Sequence, residues 1–323
     1  MTRLRSPDEF VTRRSHLLGA FEEIASALNE TRATAERLVR LLPSEVRCAG
    51  AFLCRLTNLW RYEFGPPFHD LPTEMTVCGT IQFPPAENLF RGVLAAERFL
   101  TATQLLAYLE RLRDPHKHLA TLAEMAPAAR VTSFMRGTYE AVGYGMGNRT
   151  IDWLFEPPNG TPILLDVKHR QQDLLEHLRQ TIPAIEAGAH VAPSPVLDAA
   201  ALFRSTAEKF VRRPSDEMLQ GVWIHSHIQQ FEEDLLRVFS ALDEALHFAI
   251  LAGWDGRSYI LARKSVSTEY LRRAFSLVPS ENFIRKDIAK RGVGGSSQGA
   301  SQSAGCPPSV GTSWFLFRRP GTS

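Results

Sequence analysis

IDWLFEPPNGTPILLDVKHR, residues 151–170, has the pattern of a β-hairpin. The arms IDWLFE and ILLDVKHR are rich in β-branched, aromatic and other apolar residues, and the segment PPNGT between them consists of turn-forming residues. Counting outward from Asn159 at the centre of the turn, the simplest register places Asp152 opposite Asp166. The hairpin is therefore predicted to carry one aspartate on each arm, at facing positions.

Side chains alternate along a strand, so the hairpin has two different faces. Lys168 comes two residues after Asp166 and therefore falls on the same face. The same register pairs Leu154 with Leu164. The residues on the opposite face are apolar: Ile151, Trp153, Leu165 and Val167. The charged groups of the hairpin are thus expected to gather on one side of a sheet.

Two carboxylates at facing strand positions repel each other, because their Cβ atoms are only about 4.5–5.5 Å apart. A divalent cation between Asp152 and Asp166 would relieve this repulsion, and hard oxygen ligands suit Mg²⁺. The ammonium group of Lys168 would help in the same way. The residue types and their spacing predict an acidic pair that is ready to bind a metal ion.

The composition is that of an ordinary folded protein, with 323 residues, 44% apolar and 22% charged. A net charge of +2 argues against a general polyanion binder of the histone type, but it permits a local basic groove. The cysteines form no CxxC pair and match no zinc module, so we expect reduced thiols. No apolar run approaches the roughly 18 residues of a membrane span, so we expect a cytoplasmic protein that does not enter membranes.

Changes of pattern along the chain predict three regions. Residues 1–85 combine helical periodicity with strand-like segments such as CAGAFLCRL and WRYEF, and are predicted to form an N-terminal helix-plus-strand module. Residues 86–290 alternate between helical and strand patterns and are predicted to form an α/β domain that contains the hairpin. Residues 291–323 are of low complexity and are predicted to be a disordered tail.

The pattern predicts a helix on each side of the hairpin, over residues 128–141 and 171–187. The glycine-rich segment GYGMGN would follow the first helix and precede a strand, so a helix C-cap explains it better than a phosphate-binding loop. GVWIHSHI, residues 221–228, is predicted to be a strand. Its His225 and His227 lack a third and fourth metal ligand nearby and are interpreted as ordinary strand residues.

The order of these elements resembles the core of the PD-(D/E)XK nucleases, which have the restriction-endonuclease-like fold. The residues that carry the resemblance are Asp152 and the segment LLDVK with Asp166 and Lys168, whereas the proline of the family motif is Ile151 here. The resemblance covers about residues 116–265. It implies an α/β fold with a central mixed sheet that is flanked by helices.

The resemblance also implies metal-dependent hydrolysis of phosphodiester bonds. Asp152 and Asp166 would bind Mg²⁺, for which Mn²⁺ is a substitute, and the Val167 carbonyl would be a further ligand. Lys168 would orient or deprotonate the attacking water and stabilise the charge that develops on the phosphorane.

Other residues are candidates for the remaining roles of such a site. Glu140, on the predicted preceding helix, would match the additional acid of the family, with Glu124 as the competing choice. Candidate nucleic-acid contacts are Arg149, directly after the glycine-rich segment, and, on the predicted following helix, His169, Arg170 and Arg179.

These expectations lead to two functional hypotheses. The first is a nuclease that acts on DNA rather than RNA, in which residues 1–85 recognise the substrate, a protein partner or a second copy in a homodimer. The alternative is a nuclease-like module that does not cut and instead binds nucleic acid or a protein. The presence of Asp152, Asp166 and Lys168 together favours the enzyme.

Overall fold

The computed structural model describes residues 11–14, 16–54, 58–62, 84–114, 116–170, 199–226, 235–242, 244–253 and 257–279. In this part of the chain, helices alternate with strands, and the strands form one sheet of three and one sheet of seven. Buried apolar side chains form a continuous core that extends along the chain from Leu17 to Leu277. The protein is of the mixed α/β class.

The smaller sheet lies near the N-terminus and is antiparallel. Its strands are β1 (Val11–Arg14), β2 (Ala51–Cys54) and β3 (Leu59–Tyr62), in that order across the sheet. The segment between β1 and β2 contains the helices α1 (Leu17–Ala27), α2 (Arg32–Leu41) and α3 (Ser44–Arg47). Helices and strands are both present in this region, as its sequence pattern predicts.

Three further helices precede the larger sheet, namely α4 (Ala86–Phe99), α5 (Ala102–Arg113) and α6 (His118–Met125). The helical pattern of the sequence runs through α4 and α5 as one segment, but the structure divides it at Thr101. The Thr101 hydroxyl accepts a hydrogen bond from the Gln104 N–H, and the Gln104 side chain accepts one from the Thr101 N–H. This capping box starts a new helix.

The seven-stranded sheet has the order β10-β9-β8-β7-β6-β5-β4. Its strands are β4 (Arg136–Ala141), β5 (Ile151–Glu156), β6 (Ile163–Arg170), β7 (Leu219–Ser226), β8 (Phe248–Ala252), β9 (Arg257–Ala262) and β10 (Val278–Pro279). The pairs β6-β7, β7-β8 and β9-β10 are parallel, and the other pairs are antiparallel. The sheet is therefore mixed, as predicted.

Three more helices are interspersed among these strands. Helix α7 (Ala199–Ala207) lies between β6 and β7 in the chain, α8 (Leu235–Ser240) between β7 and β8, and α9 (Thr268–Ala274) between β9 and β10. None of the described helices combines the length and the apolar character that a membrane span requires.

The predicted register of the central hairpin is confirmed. Leu154 pairs with Leu164, and Trp153 pairs with Leu165, across the antiparallel strands β5 and β6. Asp152 and Asp166 occupy the next position of the same register. The turn and the alternation of apolar residues were thus sufficient to align the two strands, because a shift by one residue would move every buried side chain to the wrong face.

The helix predicted over residues 128–141 is wrong. Turns occupy this segment up to residue 135, and β4 follows as an edge strand that pairs antiparallel to β5. Tyr139 lies opposite Trp153 with the ring centroids 5.0 Å apart, so β4 gains packing as a strand that its local sequence does not reveal. The glycine-rich segment consequently connects two strands and does not cap a helix.

The predicted position of His169 and Arg170 on a helix is also wrong. Strand β6 continues to Arg170 because it pairs in parallel with β7 along its whole length, up to the pair Arg170–Ser226. The helix predicted over residues 171–187, with Arg179, and the predicted tail over residues 291–323 lie outside the described residues.

The hairpin separates two layers of the protein. We call the side of the sheet that carries Trp153 the aromatic face. The ring of Phe99 from the end of α4 packs on Trp153 with centroids 6.0 Å apart, and the Trp153 Nε1–H donates to the Glu124 carbonyl of α6 at 2.8 Å. We call the opposite side, which carries Asp152, the acidic face. Lys209, just after α7, approaches it from that side.

Candidate active site on the acidic face

The two aspartates lie side by side, Asp152 at the start of β5 and Asp166 in the middle of β6. The Asp166 side chain is completely buried, and that of Asp152 is 27% exposed. Asp152 Oδ2 accepts a hydrogen bond of 2.6 Å from the Val167 N–H, which anchors its carboxylate to the neighbouring strand. The structure thus brings together the two carboxyl groups that the hairpin register predicts to face each other.

Lys168 lies on the same face, as the alternation along β6 predicts. Its Nζ is 2.7 Å from Asp166 Oδ2, and its side chain is 26% exposed. The ammonium group is therefore paired with a buried carboxylate while part of the side chain remains open to solvent. Such a lysine can contact both the acidic pair and a molecule that binds above it.

Lys209 is a functional candidate that sequence reasoning missed. Its Nζ forms an ion pair and a hydrogen bond with Asp166 Oδ1 and lies 3.9 Å from Asp152 Oδ1. Asp166 therefore has a lysine ammonium at each of its oxygens. The only signal in the sequence is the scarcity of lysine, with six in 323 residues, which singles out each one for attention.

The glycine-rich segment holds the backbone around Lys209. The Met146 N–H donates to the Lys209 carbonyl at 2.8 Å, and Gly145 forms a β-bridge with Phe210. Gly145 has no room for a side chain, since a Cβ there would lie 2.4 Å from the Arg149 carbonyl oxygen. The glycine-rich segment therefore fixes the backbone of Lys209 and Phe210 beside the acidic pair by direct main-chain contacts.

The electrostatics of the site are dominated by burial. Burial raises the pKa of Asp152 to about 7, and the neighbouring Asp166 carboxylate adds to the rise. Lys209 and the Val167 N–H act in the opposite direction without outweighing it. Burial lowers the pKa of Lys209, but the two carboxylates more than compensate and hold it above its ordinary value. The pair therefore needs a cation, and Lys209 is the cation that bridges it.

The donor groups present fit a magnesium ion. Mg²⁺ is commonly held by one or two carboxylates and keeps several waters. Asp152 and Asp166 supply the carboxylates, and the Lys209 ammonium between them shows that a positive charge is accommodated there. Within the described part of the chain, no group of three or more His, Cys, Asp or Glu side chains could hold a metal. The ion would therefore depend on two carboxylates and water.

The two candidates for an additional acid occupy other places. Glu140 lies on β4 with a φ of 53° and an exposed side chain, not on a helix. Glu124 accepts a hydrogen bond of 2.9 Å from the Tyr139 hydroxyl and pairs with Arg111 at 3.0 Å. Because Tyr139 pairs with Trp153, Glu124 belongs to the aromatic face and cannot join Asp152.

The predicted nucleic-acid contacts are divided between the two faces. Arg149 is exposed and its Nη1 donates to the Glu208 carbonyl at 3.2 Å, next to Lys209. His169 follows the alternation of β6 to the aromatic face, where its ring lies 6.4 Å from that of His225, and burial lowers its pKa to about 4. Of these candidates, Arg149 lies beside the acidic pair and His169 does not.

Val167 contributes to the site through its backbone. Its N–H holds Asp152, whereas its side chain packs against the apolar core.

Comparison of the chain with protein-family models, with curated proteins and with solved structures found no match. Any functional assignment therefore depends on the acidic pair and its two lysines.

Proposed function

We propose that this protein is a metal-dependent nuclease of the PD-(D/E)XK type, with the restriction-endonuclease-like fold, and that DNA rather than RNA is its substrate. The observation that carries the proposal is the convergence of Asp152, Asp166 and Lys168 on one face of a mixed sheet. Two carboxylates with a lysine two residues after the second are the residue types that this chemistry requires.

The topology around the site supports the same proposal. An antiparallel hairpin carries the acidic pair, and the second strand of that hairpin continues as the parallel neighbour of β7. Helices precede and follow these strands in the chain. A central mixed sheet with helices is the architecture that the resemblance to these nucleases implies.

In this proposal, Asp152 and Asp166 hold the metal ion. When bound, Mg²⁺ polarises a phosphoryl oxygen and lowers the pKa of a bound water. Lys168, fixed by Asp166 and partly open to solvent, holds the attacking water or a phosphoryl oxygen and stabilises negative charge in the transition state. Arg149, on the exposed segment beside the pair, contacts the phosphate backbone and positions the nucleic acid.

The test is cleavage of plasmid and single-stranded DNA with Mg²⁺ or Mn²⁺, compared with RNA. Lys168→Ala should reduce the rate about 100-fold or more, because it removes a charge from the transition state. Lys117→Ala is a matched control, since Lys117 is 64% exposed and pairs with Asp114. Its rate should equal that of the wild type. Cleavage that is unchanged in Lys168→Ala would contradict the proposal.

A second function is favoured by one observation, the position of Lys209. If Lys209 remains permanently between the acids, the site has its own cation and the protein is a non-catalytic module that binds nucleic acid or a protein. This candidate predicts DNA binding that weakens with salt. It also predicts that neither Mg²⁺ nor Mn²⁺ produces cleavage in the wild type or in Lys168→Ala.

A further inference from the structure

The charges at the acidic face are balanced without any added ion. Asp166 is completely buried, and its two oxygens contact one lysine each, Lys209 at Oδ1 and Lys168 at Oδ2. Asp152 completes the group with its Oδ1 3.9 Å from Lys209 Nζ. A divalent cation added to this group would meet two ammonium groups at short range. Like charges at such short distances repel, so we expect one ammonium to leave.

The geometry identifies which lysine leaves. Lys168 lies 2.7 Å from Oδ2 of Asp166 and is placed there by its own strand, two residues after Asp166. Lys209 touches the other oxygen and is the ammonium that also approaches Asp152. A metal ion shared by both carboxylates would need the place that the Lys209 ammonium occupies.

Lys209 is also free to move its side chain without disturbing its backbone. The side chain is 24% exposed and comes from the turn that follows α7, so a path to solvent is open. The backbone is held separately, by the hydrogen bond from Met146 and the β-bridge between Gly145 and Phe210. Only rotations within the lysine side chain are required to vacate the position.

We propose that Lys209 is an internal competitor of the metal ion, and that a divalent cation binds between Asp152 and Asp166 by displacing the Lys209 ammonium. This inference rests on the proposed metal-dependent function, and it assigns to Lys209 the control of metal affinity. Without metal, Lys209 offsets the negative charge of the acidic pair, and the metal-bound protein presents Lys209 to the solvent beside Arg149.

The first experiment measures binding of Mn²⁺ to the full-length protein by the loss of the free-ion electron paramagnetic resonance signal. Lys209→Met should bind Mn²⁺ about tenfold or more tightly than the wild type, because the competing charge is removed. Lys209→Arg keeps the charge and should not show this gain, and Lys117→Met should equal the wild type. Equal or weaker binding by Lys209→Met, or no Mn²⁺ binding by either protein, would overturn the inference.

The second experiment uses the unmodified protein, so it does not depend on the folding of a variant. Brief acetylation with a low concentration of acetic anhydride, followed by peptide mass spectrometry, reports how accessible each lysine is. Saturation with Mg²⁺ should increase the acetylation rate of Lys209 severalfold, while the rate at Lys117 stays constant. A Lys209 rate that is unchanged or decreased by Mg²⁺ would contradict displacement.

These measurements separate the inference from the proposed nuclease function. If Lys209→Met gains Mn²⁺ affinity but no DNA is cleaved, the competition stands and the nuclease proposal fails. If DNA is cleaved through Lys168 and the Mn²⁺ affinity does not respond to Lys209, the nuclease proposal stands and the competition fails.

Discussion

The two faces of the β5-β6 hairpin differ in what they contribute, although their side chains alternate one by one along the same strands. On the aromatic face, Trp153 is completely buried and stacks on Phe155 with centroids 5.2 Å apart. On the acidic face, Asp152 and Asp166 lie together with two lysines. One side of the hairpin excludes water with apolar groups, and the other buries charge.

The difference shows how a single hairpin separates stability from chemistry. Burying aromatic rings against each other stabilises the fold. Burying two carboxylates side by side opposes it, and the raised pKa of Asp152 is the sign of that cost. We therefore expect substitutions on the aromatic face to destabilise the protein and a neutral substitution in the acidic pair to stabilise it.

The largest effect is expected for Trp153→Ala. The change removes a buried ring that packs on Phe99 and Phe155 and donates to the Glu124 carbonyl, so it should lower the free energy of unfolding by about 3–5 kcal/mol. Urea denaturation followed by circular dichroism measures this. Trp153→Phe keeps most of the ring packing and should cost less. If Trp153→Ala were as stable as the wild type, the aromatic face would not be the stabilising side of the hairpin, and the contrast with the acidic face would be wrong.

The next effect concerns pH and the buried histidine of α6, on the side of the aromatic face. His118 is completely buried between the Leu112 carbonyl, 2.6 Å from Nδ1, and the Tyr62 hydroxyl, 2.5 Å from Nε2. Burial lowers its pKa from 6.5 to about 4. Between these values the unfolded chain binds a proton that the folded chain does not. The contribution to stability is thus complete above pH 6.5 and is lost as the pH falls towards 4.

The expected loss from His118 is about 3 kcal/mol between pH 7 and pH 4. Urea denaturation at several pH values measures the slope, which should become shallower in His118→Asn, because the variant has no proton to gain. The comparison uses slopes rather than absolute stability, since the variant also loses packing. An identical slope in both proteins would show that His118 is not kept neutral by the fold.

Gly221→Ala should have an intermediate effect. Gly221 lies in β7 opposite Phe248, and a Cβ there would be 2.2 Å from Phe248 Cζ, in the middle of the buried core. We expect overpacking to cost about 1–3 kcal/mol in urea denaturation. Gly160→Ala in the exposed hairpin turn is the control, since its nearest neighbour is 3.2 Å away at Pro157. A larger loss at Gly160 than at Gly221 would contradict this account of the core.

The smallest expected effect has the opposite sign. Asp152→Asn keeps an oxygen that can accept from the Val167 N–H but carries no charge, so in metal-free buffer at pH 8 it should stabilise the fold by about 1 kcal/mol. The folded pKa of Asp152, about 7, lies above its ordinary value of 3.8. The wild type therefore loses stability as the pH rises from 3.8 to about 7, and the advantage of Asn, complete above pH 7, should shrink at pH 5. If the variant is less stable than the wild type at pH 8, the negative charge of Asp152 does not destabilise the fold, and this prediction is wrong.

Much of the hairpin could be predicted from the sequence, because its determinants are local. The turn residues align the arms, and the period of two then places Asp152, Asp166 and Lys168 on one side and Trp153 on the other. Packing between distant segments was not predictable in the same way. Strand β4 has a sequence compatible with a helix and became a strand because β5 offers it an edge and Trp153 offers Tyr139 a partner.

The sequence by itself therefore determined the mixed α/β class, the register of β5 and β6 and the two acids with their first lysine. Only the tertiary structure decided that β6 extends to Arg170, which turns His169 away from the acidic pair, and that Lys209 lies against Asp166. The physical reason is distance along the chain. Side-chain alternation in a strand is set by neighbouring residues, whereas the contact between Lys209 and Asp166 joins residues 43 positions apart and exists only when α7 and its following turn pack beside the sheet.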